Sequence, residues 1–227
     1  MKALIVAALR EEFGVRWRSH RFGTPGDAKA AASPPHSITG DGPIRAEKGA
    51  AEALARENPE ALIGIGVAGG IATDLKRGDI IVAKTIVDEQ GIPRDCDKRL
   101  VNAAIEMGAR PVTIATTRTV VLDKSTINAA AVDMESAAWQ RAARNIPFAV
   151  VRVILDPVSE SLPPFLARCA REDGSISRPR VVWYALTHPT AIPQLVGLSR
   201  QIKEASRALA AFLPKLLDSV EAIPYDQ

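Results

Sequence analysis

Ring side chains are scarce in this chain of 227 residues: three Trp, two Tyr and five Phe. A protein that stacks nucleic-acid bases on aromatic rings needs more of them, so no nucleic-acid partner is expected. Cysteine is scarcer still. Cys96 and Cys169 stand far apart, which is neither a disulfide framework nor a zinc-ligand spacing, and reduced cytoplasmic thiols are the expectation. The three histidines, His20, His36 and His188, are scattered, so no metal site can be read from them. Charge of one sign is lacking too: 29 Lys and Arg face 26 Asp and Glu, a net of +3, with no long basic block. No uncharged apolar run is long enough for a membrane span. After Met1-Lys2, the apolar stretch Ala3–Leu9 mimics a secretory signal. It is cut short by Arg10-Glu11-Glu12, and no small-residue cleavage site follows.

What is present is an ordinary globular mixture, with 47% hydrophobic and 24% charged residues, which excludes disorder and collagen. Short apolar runs alternate with helical stretches. Strands are expected at Lys2–Leu9, Ala61–Val67, Asp79–Val87, Pro111–Thr117 and Phe148–Leu155. Helices are expected at Ile44–Asn58, at Asp97–Met107 before Gly108, in the second part of Val132–Arg144, and over Ile192–Leu217. Residues 14–35 read as irregular, punctuated by Gly23, Pro25, Gly26, Pro34 and Pro35. This alternation predicts an α/β fold, a mostly parallel central sheet flanked by helices on both faces. No linker or repeat is visible, so residues 1–227 are taken as one domain.

Gly64-Ile65-Gly66-Val67-Ala68-Gly69 matches the dinucleotide-binding fingerprint G-x-G-x-x-G, and Asp88 stands near the spacing of a ribose-binding acid. The context argues against a dinucleotide. That motif requires a helix to open at the last glycines and carry the pyrophosphate on its N-terminus. Here only Gly70–Gly78 precedes the next strand, whereas a parallel crossover takes about a dozen residues or more. A turn is expected instead. The glycines then serve turn geometry, or let backbone approach a ligand or another segment closely.

Three acids sit where open α/β sheets bind ligands, beyond the carboxyl ends of strands. Glu12 follows the first strand, Glu135 opens a helix and Asp156 ends a strand. Each also has a structural reading. Glu12 and Glu135 suit a helix first turn. Asp156 before Pro157 looks like an N-cap with proline at the first helical position.

The acids and the glycine turn together resemble the purine nucleoside phosphorylase and nucleosidase superfamily, of the type that includes methylthioadenosine/adenosylhomocysteine nucleosidase. The matching pieces are KALIVAALREE (Lys2–Glu12), GVAGGIATDLKRGD (Gly66–Asp79), VDMESAA (Val132–Ala138) and IPFAVVRVILD (Ile146–Asp156). The last two together are the specific ones. Later pieces, DPVSESLPP (Asp156–Pro164), the Asp173-Gly174 turn and HPTAIPQLVGLSR (His188–Arg200), are similar to the hopanoid-associated branch, thought to remove adenine from adenosylhopane.

The resemblance implies roles residue by residue. Asp156 would be the acid near purine N7, and Glu12 would activate water in a hydrolytic enzyme. Glu135 would hold the ribose hydroxyls, with Met134 packed under the sugar. Ala68, Gly69 and Val120 would complete the substrate site. Asp156 must be protonated when the base departs, so burial should raise its pKa. Arg152, on the same strand, is expected to pack or pair structurally. No cofactor is implied; phosphate is left open as a co-substrate.

There are departures from the pattern. Val67 replaces a Ser that contacts phosphate or water, Gly64 an anion-binding Arg, Leu155 a Ser before the catalytic Asp, and Val120 a Phe against the purine. Losing the Arg at Gly64 and the Ser at Val67 tilts the reading slightly toward hydrolysis, although Arg10, Arg45 or Arg118 could supply an anion site. The replacements at Val67, Leu155 and Val120 also keep open a non-catalytic nucleoside-binding protein, against which the retention of all three acids argues. The segment Lys124–Ala130 is short, which suits a large apolar 5′ substituent. The expected partner is a small-molecule or lipid-linked purine nucleoside. Self-association follows from the resemblance. The basic amphipathic stretch Ile192–Leu217 is expected to pack on its own sheet, with transient membrane contact left open.

Overall fold

The computed structural model describes residues 1–8, 35–121, 123–160, 163, 165–169, 171 and 177–224. Among the described residues, eight strands form one sheet: β1 (Ala3–Ala7), β2 (His36–Ile38), β3 (Ala61–Gly70), β4 (Ile80–Val87), β5 (Pro93–Asp95), β6 (Arg110–Thr116), β7 (Ala131–Asp133) and β8 (Phe148–Asp156). The helices are α1 (Pro43–Glu57), α2 (Lys98–Glu106), α3 (Ser136–Ala143), α4 (Phe165–Cys169), α5 (Arg178–Thr187) and α6 (Ile192–Glu221). A single 3₁₀ turn, Pro189–Ala191, joins the last two.

β1 is wholly apolar, and β8 is apolar except for Arg152 and the terminal Asp156; both strands are buried along their whole length, the pattern of strands covered on both faces. β1 pairs in parallel with β2 and β3, β3 with β8, and β4 and β7 with β6. Antiparallel pairs join β3 to β7, β4 to β5, and β4 to β8. The pairing therefore closes a ring from β3 through β8, β4, β6 and β7 back to β3. The expected mostly parallel, helix-flanked sheet is present. The short strands β2 and β5 were not legible, because three residues are too few for a period.

The helices pack in two groups. α1 lies on α3, and α2 lies on α6. α1 buries Ala46, Ala50 and Ala53, a stripe of small side chains at helical spacing. α2 starts at Asp97, whose carboxylate accepts from the backbone N–H groups of Arg99 and Leu100. It buries Leu100, Val101, Ala103 and Ala104, and the chain turns away at Gly108 with φ of 98°. The second half of α6 buries Leu209, Phe212, Leu213, Leu216, Leu217 and Val220 against the sheet, as expected of a helix that packs on its own domain. Its first half is different: Ile192 and Val196 are exposed.

A small second core joins Phe165, Cys169 and Ala191. Tyr184 stacks between Phe165, at 4.8 Å, and His188, at 4.2 Å. Of the late aromatics, Phe165 and Tyr184 are thus packing residues, whereas Trp183 faces solvent at 68% exposure. Among the described residues, no helix is long and apolar enough to cross a membrane.

Candidate active site

The glycine segment does not open a helix. β3 continues through Gly69 to Gly70, and then Ile71 and Ala72 donate to the Ala130 carbonyl in a turn that leads to β4. The dinucleotide motif is therefore absent in structure, as its spacing predicted. Asp156 is not an N-cap: it is the last residue of β8, and a turn follows it instead of a helix.

Register brings these segments together. Ala68 pairs with Ile154, but Gly69 pairs with Asp156, so Leu155 is an extra residue on β8. A bulge of this kind re-aims the side chain beyond it, here that of Asp156. On the other edge of β3, Gly69 pairs with Val132 of β7. Met134 and Glu135 follow immediately, with Met134 half-buried and Glu135 buried. At the carboxyl ends of β3 and β8, Gly69 thus lies between Asp156 on one side and, on the other, the antiparallel β7 that leads into Met134 and Glu135. Val120 lies half-buried on the loop that leaves β6. Glu12 and Arg10 lie outside the described residues.

A residue not singled out for chemistry lies at the centre. The Lys124 ammonium is 2.6 Å from Asp156 Oδ2, and it also donates to the Asp156 carbonyl at 2.9 Å and the Gly70 carbonyl at 3.2 Å. Both members of this ion pair are buried. Gly69 makes room for it, since a Cβ there would stand 3.1 Å from Lys124 Nζ and 3.2 Å from Val132 Cγ1. The close approach expected of the glycines is, at Gly69, to Lys124 and Val132. Burial raises the Asp156 carboxyl above its ordinary pKa, and Lys124 opposes that rise with its charge and hydrogen bond. A single Lys in a short polar loop carries no periodic or spacing signal, so Lys124 was not identifiable in the sequence.

Glu135 is held from two sides. Its Oε1 accepts from the Gly42 N–H at 3.3 Å, and its Oε2 from Arg152 at 3.4 Å. Arg152 is fully buried on β8 and lies 2.7 Å from Asp133 Oδ2. Its guanidinium also sits over the Trp139 ring, 4.7 Å from the centroid. Asp133 Oδ1 accepts from Thr116 at 2.9 Å, tying β7 to β6. Ser136 Oγ donates to Asp133 Oδ2. The Arg152 cation thus bridges two acids of the VDMES segment and anchors Glu135, the structural part expected of it.

Two of the departures from the family pattern, at Gly64 and Leu155, have physical correlates. Gly64 lies under Trp139, so the ring occupies the space a side chain there would need. Leu155 is the bulge residue, and its carbonyl accepts from Arg77 at 3.1 Å. Arg45 and Arg118, considered as substitute anion ligands, are both exposed.

The family model of the phosphorylase superfamily matches residues 36–172. This chain belongs to that superfamily. It is accordingly an enzyme of the nucleoside phosphorylase and nucleosidase class. Solved structures share the fold. The 5′-methylthioadenosine/S-adenosyl homocysteine nucleosidase of Campylobacter jejuni is 18% identical, with a TM-score of 0.69 over 96% of this chain and 99% of that one. Futalosine hydrolase of Helicobacter pylori strain 26695 is 17% identical, with a TM-score of 0.67 over 96% and 98%. The S-adenosylhomocysteine nucleosidase of Streptococcus pyogenes is 20% identical, with a TM-score of 0.67 over 97% of each chain. No curated protein matches in sequence.

Proposed function

We propose that this protein cleaves the N-glycosidic bond of a purine nucleoside, with Asp156 as general acid and Glu135 as the carboxylate on the ribose. The observation that carries this reading is a buried aspartate at the end of β8, raised in proton affinity by its burial and joined through Gly69 to the segment that bears Glu135. As the C1′–N9 bond breaks, its electron pair passes to the base, and Asp156 gives a proton to the base nitrogen that faces it. The ribose becomes positively charged, and a fixed carboxylate hydrogen-bonded to its hydroxyls stabilises that charge. Glu135 is suited to this because Arg152 and the Gly42 N–H hold it in place. An oxygen of water or phosphate then bonds to C1′. Met134, Ala68, Gly69 and Val120 are the substrate contacts in this reading, and Glu12 the residue that activates water.

The substrate favoured by the DPVSESLPP and HPTAIPQLVGLSR pieces is an adenine nucleoside with a large apolar 5′ substituent, such as adenosylhopane. Exposed Trp183, Leu186, Ile192 and Val196 on α5 and α6 suit an apolar tail or transient contact with a membrane surface. The second reading is a methylthioadenosine/adenosylhomocysteine-type nucleosidase. The likeness to solved nucleosidases of that kind favours it. The protein is read as cytoplasmic and self-associating in either case.

Adenine release from adenosylhopane and from methylthioadenosine, each with and without phosphate, tests these readings. Brisk release from adenosylhopane supports the lipid-linked substrate. Release from methylthioadenosine alone assigns the small thionucleoside. Dependence on phosphate identifies phosphorolysis. No release from any purine nucleoside overturns the proposal.

A further inference from the structure

We infer that Lys124 is a positioning residue for the reaction, clamping one carboxylate oxygen of Asp156 so that the other is presented to the departing base. This inference rests on the assignment of Asp156 as general acid. All three N–H groups of the ammonium have acceptors: Asp156 Oδ2 at 2.6 Å, the Asp156 carbonyl at 2.9 Å and the Gly70 carbonyl at 3.2 Å. Two of these acceptors belong to Asp156 itself, so the side chain and backbone of the acid are gripped together. The third fixes the end of β3 against it. Gly69 leaves the space for the lysine stem, with Cε standing 3.2 Å from where a Cβ would be. The pair is buried, with side-chain exposures of 8% and 6%, where a cation is little screened.

Such a clamp does two things. It removes rotational freedom from the acid, which matters because a misplacement of about 1 Å can cost roughly 100-fold in rate. It also opposes the effect of burial on the acid. Burial favours the neutral carboxyl, and the ammonium favours the carboxylate. Among the described residues, the charged groups acting on Asp156 are Lys124 and the more distant Glu160, which disfavours the carboxylate. Glu160 is itself paired with Arg77, whose Nε donates to the Leu155 carbonyl beside Asp156. Lys124 is the one cation of this set in contact with the carboxyl, so it lowers the pH at which the buried acid loses its proton.

The test is a pH–rate profile of the full-length protein and of Lys124→Met, with adenine release as the readout and circular dichroism to check folding. The profile uses a nucleoside that the unaltered protein cleaves. Loss of the cation leaves burial less opposed, so the alkaline limb of kcat/KM moves to higher pH, kcat falls by about 100-fold and KM changes little. A limb that stays in place, whatever the fall in kcat, overturns the inference. Lys124→Gln carries the same expectation if the Met variant does not fold. In protein labelled with carbon-13 at the lysine side chains, Asp156→Asn should shift the Lys124 ε-carbon resonance. No shift overturns the pairing without recourse to activity. If the unaltered protein cleaves no purine nucleoside, the proposed function fails, an outcome separate from an immobile pH limb.

Discussion

The Trp139 ring packs against Gly64, so closely that a Cβ on that glycine would stand 2.5 Å from Trp139 Cε3 and 2.8 Å from Val150 Cγ2. Neither contact can relax cheaply, because Trp139 is fully buried and its indole N–H is held at 3.0 Å by Thr39. Gly64→Ala should therefore overpack the core and cost about 1–3 kcal/mol. For a chain of this length that is a drop of several degrees in Tm, roughly 2–4 °C per kcal/mol. Thermal unfolding of the two proteins checks it, and equal melting temperatures would contradict the close packing.

Asp156→Asn removes the proton donor while keeping the shape of the side chain. Adenine release should fall about 100- to 10,000-fold, the range for loss of a general acid. The pH dependence has a definite sign. Asp156 acts in its protonated form, so activity is present below its raised pKa and lost as pH rises through it. The alkaline limb should be absent from the residual activity of the Asn variant, which a kcat/KM profile would reveal.

Asp97 caps α2, accepting from the Arg99 N–H at 2.9 Å and from the Leu100 N–H at 3.4 Å. Burial pushes its pKa up, but the Arg99 side chain and these two N–H groups outweigh that and hold it below the ordinary carboxylate value. A depressed pKa gives stability that is present above the unfolded-state value and lost as pH falls through the folded one. Asp97→Ala should cost about 1 kcal/mol near neutral pH. The gap between the two proteins should narrow in acid, below the ordinary carboxylate range. Urea midpoints at several pH values measure this.

Neither cysteine should behave as a reactive thiol. Burial pushes Cys96 up to about 12, and burial also raises Cys169, which is 2% exposed in the small second core. The thiolate is the reacting form, so a disulfide reagent near pH 8 should modify the native protein slowly and both cysteines quickly in denaturant. Rapid modification without denaturant would contradict the burial of that second core.

The longer strands of the sheet were legible because strands covered on both faces are mostly apolar, as β1 is throughout and β8 is apart from Arg152 and Asp156. α2 was legible through Asp97 and Gly108, which mark its two ends. Glu135 and Asp156 were legible because each ends or follows a strand. β2 and β5 were not, being three-residue strands that pair only because longer neighbours present free edges. The local reading of Asp156 as a helix cap failed for a related reason: a residue that caps and a residue that ends a strand look alike until the next turn is placed.

What the sequence determined by itself is the sheet, the helices on it and the acids at the strand ends, since each follows from local periodicity and from the order of segments. Only the tertiary structure decided what those acids touch. Lys124 is 32 residues from Asp156 along the chain, and Gly42 is 93 residues from Glu135. Contacts over such separations leave no mark in local pattern. They come from strand register, where the bulge at Leu155 sets Asp156 opposite Gly69, and a glycine without a Cβ leaves room for the lysine.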